Sequence, residues 1–233
     1  MSIIEIKEVP FPYKCCNKSL TLSIQRNKYT TIIGRNGSGK TTLLKLITGL
    51  IKHKSGEIIV NDIIMDHSNV ESIYSIRKSM GVLFQNPEYQ LIGSTVEQSI
   101  EFGLINMDRD KLEIEKLIKE YSVFFGLDDL LKKSIIHLSG GEKQKIALIS
   151  AIITNPSIII LDEFTSMLDR NTKSIIFDMI EIIRKEEDKT IVSITHDIDE
   201  VLNSDRVILI ESGEIKFHGK PSDIVSKLEE LCL

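Results

Sequence analysis

A glycine-rich loop between an apolar strand and a helix constrains this 233-residue chain most strongly. The stretch IIGRNGSGKTT matches the pattern G-x-x-x-x-G-K-[ST] over residues 34–41. An apolar run at 30–33 precedes the loop and the run KTTLLKLITGL, with helical character, follows it. This is the strand–loop–helix context that the pattern requires. The order predicts an α/β fold with a parallel sheet.

The residues of this loop are suited to binding a polyphosphate. Gly34, Gly37 and Gly39 allow backbone torsions that other residues resist, so their amides can curve around a phosphate at a helix N-terminus. Lys40 adds a positive charge for the β- and γ-phosphates, and Thr41 offers a hydroxyl to Mg²⁺. A glycine-rich turn without this function is disfavoured, because strand and helix are both in register. The predicted nucleotide-binding residues of the loop are Gly34, Arg35, Asn36, Gly37, Ser38, Gly39, Lys40, Thr41 and Thr42.

A second motif supplies carboxylates. In SIIILDE, residues 157–163, four apolar residues are followed by Asp162 and Glu163. Ligands of open parallel sheets bind at the carboxyl ends of the strands, which is where Asp162 is expected. Asp162 can hold Mg²⁺ through water, and Glu163 can act as general base on the attacking water. Two solvated acids at a strand end are common in isolation, but beside a phosphate loop this alternative loses most of its weight.

A third motif, HLSGGEKQKIALISAI at 137–152, opens a predicted helix with Ser139, Gly140 and Gly141. Such a start presents free amides and the positive end of the helix dipole, which together form an anion site. Taken alone, a simple N-cap followed by flexible glycines is the better interpretation.

Composition and charge exclude several classes of protein. Hydrophobic residues make up 42% and charged residues 27% of the chain, as in ordinary globular domains. The net charge of −5 gives no basic footprint for nucleic acid. No run of 18 apolar residues and no signal-peptide pattern occurs, so we expect neither a membrane span nor a cleaved leader. Cys15, Cys16 and Cys232 form neither a disulfide framework nor a metal-ligand spacing, which fits a reducing cytoplasm.

The remaining pattern predicts one α/β domain with an inserted helical region. Short β-rich runs predict strands at 3–6, 20–24, 30–33, 57–60, 80–84, 158–161, 190–194 and 206–210. Between residues 95 and 155 no such run occurs, and helices are predicted at 95–104, 109–125 and 141–154. The pairs at 61–62 and 212–213 are turn signals between short strands.

In this order and spacing, residues 34–41, LSGGE and ILDE resemble the ATP-binding-cassette (ABC) ATPases, and the resemblance spans nearly the whole chain. It implies a P-loop NTPase fold with a RecA-like parallel core sheet, an antiparallel β subdomain and an inserted α-helical subdomain. The core would comprise 1–85 and 156–233, and the helical subdomain about 86–155. ATP and Mg²⁺ are the implied cofactors, and ATP hydrolysis coupled to transport is the implied activity.

The same resemblance implies roles for four further residues. Tyr13 resembles the aromatic residue that stacks on adenine, and Gln85 the glutamine that reaches Mg²⁺ and the γ-phosphate. Asp169, in TSMLD, resembles the aspartate loop at the dimer interface, and His196, in SITHD, the switch histidine that contacts the γ-phosphate. Such ATPases bind two ATP between two head-to-tail subunits, and the LSGG motif of each completes the partner's site.

The segment QNPEYQLIGSTVEQSIEFG is similar to the form found in energy-coupling-factor transporters, the prokaryotic importers of cobalt and vitamins. TSMLD resembles the first of their two paralogous ATPases. The implied partners are a second ATPase, paralogous or identical, a transmembrane coupling subunit and a substrate-capture membrane subunit. The implied location is the cytoplasmic face of the membrane, as a peripheral subunit. Tyr89, Leu91 and Ile92 then resemble part of a docking surface, with local packing under the helix near Thr95 as the alternative.

Three residues depart from the family pattern: Glu142 replaces the usual glutamine, Lys145 the usual arginine, and Phe164 an alanine or proline. None removes a phosphate ligand, so we expect activity. Many members also carry a longer C-terminal extension that holds the ATPase pair together; without it we expect association to depend more on ATP and the membrane partner. Another ABC importer, a soluble ABC ATPase acting on DNA or ribosomes, or a non-catalytic nucleotide-binding module are the alternatives.

Overall fold

Two sheets organise the chain in a computed structural model that describes residues 1–12, 19–105, 109–166 and 168–224. The four-stranded sheet has the order β2-β1-β4-β5, and the six-stranded sheet has the order β10-β9-β3-β8-β7-β6. The strands are β1 (Ser2–Pro10), β2 (Ser19–Gln25), β3 (Tyr29–Ile33), β4 (Glu57–Val60), β5 (Ile63–Ile64), β6 (Met80–Leu83), β7 (Ile158–Asp162), β8 (Thr190–Ile194), β9 (Arg206–Glu211) and β10 (Glu214–Gly219). The helices are α1 (Lys40–Ile47), α2 (Val70–Lys78), α3 (Val96–Glu101), α4 (Lys111–Phe124), α5 (Gly140–Ile152), α6 (Arg170–Glu186) and α7 (Ile198–Leu202).

The predicted strands are confirmed, and their burial explains why they were recognisable. All five residues of β3 and of β8 are buried, as in strands covered on both faces of a parallel sheet. In β2, by contrast, buried and exposed residues alternate strictly. Both turn signals join antiparallel hairpins, β4–β5 and β9–β10.

The parallel sheet separates two hydrophobic clusters, because successive side chains of a strand point to opposite faces. Ile158 and Ile160 of β7 pack with α1 and the antiparallel sheet. Ile159 and Leu161 of the same strand pack on the other face with α3, α4, α5 and α6. The helical region therefore shares a core with the sheet that carries the phosphate loop.

The predicted helices of this region are confirmed: α4 and α5 end within two residues of their predicted bounds, and α3 is clearly shorter than predicted. Among the region's described residues, 95–105 and 109–155, no strand occurs, only an isolated bridge between Thr95 and Ser134. The helix predicted at 95–104 ends at Glu101, since the amide of Leu104 turns back to the carbonyl of Glu101. The described helices α2, α6 and α7 were not among the predicted ones. Cys15, Cys16 and Cys232 lie outside the described residues.

Two adjacent phenylalanines test how far the helical region depends on its core. Phe125 is completely buried, whereas the neighbouring Phe124 is 43% exposed. Phe125→Ala should lower the free energy of unfolding by about 3–5 kcal/mol, because it leaves a cavity in the core. Phe124→Ala should lower it by less than about 1 kcal/mol, as surface substitutions do. Urea denaturation of both variants provides the measurement, and equal losses would contradict this account.

Candidate active site

The phosphate loop connects β3 to α1 through glycines whose conformations other residues resist. Gly39 is the N-cap of α1 with a φ of 112°, and no side chain caps the helix, so its first amides stay available for an anion. A Cβ at Gly39 would lie 2.4 Å from the Phe11 ring, and one at Gly34 would lie 2.2 Å from the carbonyl oxygen of Ile210. The loop therefore keeps its shape only with glycine at these two positions.

Lys40 folds back over this loop. Its Nζ donates to the carbonyl oxygens of Gly34, at 2.7 Å, and Arg35, at 3.2 Å. Burial lowers the pKa of Lys40, and the nearby charges of Glu163 and Asp162 oppose that shift. Two backbone acceptors thus hold the ammonium at the centre of the loop.

A cavity of about 370 Å³ lies against the loop. The hydroxyl of Ser38, one of its lining residues, is buried and has no hydrogen-bond partner among the described residues. Buried polar atoms are normally paired, so this hydroxyl fits a site that a polar ligand completes. The lining residues are Phe11, Asn36, Gly37, Ser38, Gly39, Lys40, Thr41, Thr42, Glu163 and Gly213.

The two predicted carboxylates lie at the end of β7. Burial raises the pKa of Asp162, and the adjacent charge of Glu163 adds to that rise, while Lys40 and Lys45 act in the opposite direction. Glu163 has a φ of 46°, a left-handed conformation that is strained in a residue with a side chain. Its amide donates to the carbonyl oxygen of Ile194 across 2.9 Å, which ties this strained residue to β8.

The three predicted catalytic residues meet at Glu163. Gln85 Nε2 donates to Glu163 Oε2 across 3.1 Å. His196 Nε2 lies 3.0 Å from the other carboxylate oxygen, Glu163 Oε1. These residues follow β6, β7 and β8, which are neighbours in the sheet and run parallel. Their convergence is therefore a direct result of the strand order.

The LSGG residues are not brought to this loop. Ser139 is the N-cap of α5, and it forms a capping box with Glu142. Glu142 Oε2 accepts from the Ser139 amide at 2.7 Å and from the Ser139 hydroxyl at 2.8 Å, and these bonds lower the pKa of Glu142. Ser139 and Gly140 are exposed, and neither they nor Gly141 line the cavity at Lys40.

Asp169 caps α6 beside the start of α5. Its carboxylate accepts hydrogen bonds from the Thr172 hydroxyl and from the amides of Thr172 and Asn171. These bonds lower the pKa of Asp169, and the bond from the Thr172 hydroxyl has the largest effect. A Cβ at Gly141 would lie 3.0 Å from Thr172 Cγ2, so the two helix starts are close together. Tyr13 lies outside the described residues.

Sequence reasoning missed several residues that line the two cavities of the site, among them Phe11 and Lys173. Phe11 lines the phosphate-loop cavity, and the only signal was its place in VPFPYK, two positions before Tyr13. Lys173 lies in a second cavity of about 340 Å³ together with Glu163 and His196. No spacing pattern indicated that Lys173 reaches this site. The lining residues of the second cavity are Glu163, Thr165, Ser166, Leu168, Lys173, Thr195, His196 and Asp197.

A protein-family model described as ABC transporter matches residues 17–166. The chain belongs to the ABC transporter family. An energy-coupling factor transporter ATP-binding protein, EcfA1 of Streptococcus pneumoniae strain R6, is 38% identical over 231 residues, which are 97% of this ABC ATPase and 83% of the relative. The protein of the same name from Ligilactobacillus salivarius is 41% identical over 99% of this chain and 82% of its own. These identities assign the chain to the ATP-binding proteins of energy-coupling factor transporters, and membership implies ATP binding.

Solved structures support the same assignment. CbiO1 from Clostridium perfringens, described as part of the ABC transporter complex cbiONQ, superimposes with a TM-score of 0.88 at 31% identity, covering 98% of this chain and 92% of that one. A dimeric ATP-binding cassette in a post-hydrolysis state, bound to ADP and phosphate, gives a TM-score of 0.82 at 29% identity, covering 94% and 98%. The predicted P-loop NTPase fold is thereby confirmed.

The three departures from the family pattern have structural partners in this ABC ATPase. Glu142 completes the capping box, and Lys145 Nζ donates to the carbonyl oxygen of Phe125 across 3.1 Å. Phe164 is 1% exposed and packs edge-on against Phe177, with ring centroids 5.5 Å apart. Each replacement is therefore accommodated by local contacts.

Gly34 offers a test of the loop's steric limits. Gly34→Ala should lower the free energy of unfolding by about 2 kcal/mol, within the range for strained backbones, because its Cβ would meet the backbone of β9. Gly140→Ala is the matched control, since its Cβ would meet nothing within 4 Å. Thermal or urea denaturation measures both, and an equal response of the two variants would show that the close approach at Gly34 is not limiting.

Proposed function

We propose that this chain is the ATP-hydrolysing subunit of an energy-coupling-factor importer that takes up a vitamin or a metal-ion micronutrient. The observation that carries the proposal is the meeting of Gln85, Glu163 and His196 beside the Lys40 loop. One carboxylate is held there by two side chains at 3.1 and 3.0 Å, at the edge of a cavity suited to a polyphosphate. An ABC importer for amino acids or metals would use the same chemistry and is the alternative.

The loop is proposed to hold the nucleotide phosphates. Lys40 would exchange its two carbonyl partners for phosphate oxygens, and the amides of residues 36–42 would donate to the β-phosphate. Tyr13 is proposed to stack on adenine. The free hydroxyl of Ser38 and the uncapped start of α1 support this assignment.

Mg²⁺ is proposed to be held by Thr41, Gln85 and Asp162. The residues fit such an ion: Asp162 is half-buried beside the like charge of Glu163, a situation that a divalent cation relieves. No group of three or more potential ligands from His, Cys, Asp and Glu occurs among the described residues, and Mg²⁺ needs none, since it retains waters and substrate oxygens. When bound, the ion would neutralise charge on the phosphates.

Glu163 is proposed to take the proton of the attacking water. Gln85 and His196 each occupy one oxygen of the carboxylate, so its plane is fixed before the substrate binds. Fixing a base in advance lowers the entropic part of the barrier. His196 would also contact the γ-phosphate, as its family position implies.

Two substitutions separate hydrolysis from binding. Glu163→Gln should slow ATP turnover by roughly 100-fold or more, the range of general-base contributions, while ATP affinity is retained. Lys40→Ala should weaken ATP binding itself, because it removes the charge from the phosphate loop. Steady-state turnover and ATP titration of both variants provide the test. A Glu163→Gln protein that hydrolyses ATP at the wild-type rate would show the base assignment to be wrong.

The site is proposed to be completed by a second ATPase subunit. Ser139, Gly140 and Gly141 would close over the γ-phosphate of the mate, with Asp169 at the interface. Two features support this: Ser139 and Gly140 are exposed at the start of α5, and neither they nor Gly141 line this chain's own phosphate cavity. The resemblance of TSMLD to one paralogue favours a heterodimer with the other, and a homodimer is the alternative.

The segment after Gln85 is proposed to dock a transmembrane coupling subunit, which in turn serves a substrate-capture subunit. Attachment to the cytoplasmic face is proposed to be peripheral. Among the described residues, the structure contains no helix that could span a bilayer. Tyr89 is 81% and Ile92 45% exposed, whereas Leu91 is partly buried against the helical core. Leu91 therefore belongs at least in part to local packing, and Tyr89 and Ile92 carry the proposal.

We also propose that the chain divides into a nucleotide-binding core, residues 1–85 and 156–233, and a helical subdomain, residues 86–155.

Ile92→Asp tests the docking surface. It should weaken association with the transmembrane subunit roughly tenfold, since burying an isoleucine side chain is worth about 1.5–3 kcal/mol. ATP affinity should stay nearly unchanged, because Ile92 does not line the nucleotide cavity. Ile182→Asp is the matched control, as Ile182 is 41% exposed on α6. Co-purification and ATP titration are measured on both, and unaltered assembly of Ile92→Asp would exclude this residue from the interface.

A further inference from the structure

Two aromatic rings connect the segment after Glu163 to α6. Phe164, the next residue, is buried and packs against Phe177 at an interplanar angle of 73°. The ammonium of Lys173 lies over the Phe177 ring, 5.9 Å from its centroid, within the range of a cation–π contact. Lys173 thus lies at the end of a stack that begins beside the proposed base.

The same ammonium also holds the residue after His196. Lys173 Nζ forms an ion pair with Asp197 Oδ2. The other oxygen, Asp197 Oδ1, accepts from the amide of Glu200 across 3.2 Å and so caps α7. The amide of Asp197 donates to the Thr195 hydroxyl across 3.0 Å. Lys173 therefore binds a loop residue, Asp197, whose amide and carboxylate are both already fixed by hydrogen bonds.

Helix α7, on which this loop rests, is itself anchored in the sheet. Glu200 is buried, and its carboxylate accepts from the Tyr29 hydroxyl at 2.6 Å and from the Ser193 hydroxyl. Tyr29 and Ser193 belong to β3 and β8. The ion pair with Lys173 joins this anchored loop to α6.

We infer that Lys173 is a positioning residue for ATP hydrolysis, which fixes His196 and Glu163 relative to each other through Asp197 and the Phe177–Phe164 stack. The inference rests on the proposed role of Glu163 as base. Glu163 needs such support because its backbone is in the left-handed region and its Oε1 lies 3.0 Å from His196 Nε2. The ion pair is partly solvated, with side chains 21% and 25% exposed, so its contribution to stability is small.

Lys173 also lies one turn from the aspartate loop. Its amide donates to the carbonyl oxygen of Asp169 across 3.0 Å, in the first turn of α6. Asp169 is proposed to face the second subunit. The position of the proposed interface and the position of His196 therefore depend on the same turn of helix.

The test compares Lys173→Met with Lys185→Met in the full-length chain, alone and in the complex purified with it. Lys185 is the matched control, because it also lies on α6 and forms an ion pair, with Glu181 at 3.3 Å, away from the site. Lys173→Met should lower kcat by roughly tenfold to 100-fold, the loss expected from a displacement of about 1 Å, and leave KM for ATP nearly unchanged. Lys173→Arg keeps the charge and should recover most of the rate.

A purely structural role predicts a different outcome. The melting temperature of Lys173→Met should lie close to that of Lys185→Met, since both ion pairs are partly exposed and such pairs contribute little to stability. The imidazole ¹⁵N signals of His196 should shift in Lys173→Met but not in Lys185→Met. Equal kcat values for the two variants, or a loss of rate that only follows a loss of stability or of ATP affinity, would overturn the inference.

Glu163→Gln in the same assay separates this inference from the proposed function. If Glu163→Gln is inactive and Lys173→Met equals its control, the base stands and the positioning role fails. If Glu163→Gln hydrolyses ATP normally, the base assignment fails, and the role of Lys173 fails with it.

Discussion

The hydrogen-bond register of the central parallel strands determines where every polar side chain of the site can lie. Asp162 of β7 and Ile32 of β3 both pair with Ile194 of β8, and Leu83 of β6 pairs with Leu161 of β7. The four strands therefore end at nearly the same level. A shift of one residue in any strand would turn its side chains to the opposite face and separate the residues that follow it.

Burial disfavours the charged forms of two groups at this edge of the sheet, Asp162 and Lys40. Asp162 and Glu163 are adjacent acids, and Lys40 is a buried cation whose ammonium donates to two carbonyl oxygens. Burial raises the pKa of Asp162 and lowers that of Lys40, so both ionised forms are destabilised relative to water. Phosphates and a divalent cation would relieve both penalties together, which gives binding a source of selectivity for a charged pair over a neutral ligand.

How much of this was predictable depends on the range of the interactions. The phosphate loop, the strands and the place of Glu163 follow from local patterns and the rule that ligands of parallel sheets bind where the strands end. The roles expected for Gln85 and His196 came instead from the resemblance to the ABC ATPases. Helix α3 ends earlier than predicted because a turn near Gly103 overrides its apolar pattern. Phe11 lies next to Gly39, which is 28 positions away in the sequence, and Lys173 contacts Asp197, which is 24 positions away. No sequence periodicity encodes contacts over such separations. The replacement at Phe164 becomes intelligible only beside Phe177.

The first turn of α5 joins the proposed docking segment to the LSGG residues. Glu142 binds Ser139 in the capping box, and the next residue, Lys143, forms an ion pair with Glu88 at 2.6 Å. Glu88 is fixed in turn, since its amide donates to the Asn86 side chain across 2.9 Å in the short 3-10 helix Pro87–Tyr89. Displacing that helix must either carry the start of α5 with it or break the Glu88–Lys143 pair. The Glu88–Lys143 pair therefore connects the segment that carries the exposed Tyr89 to the helix that begins after the exposed Ser139.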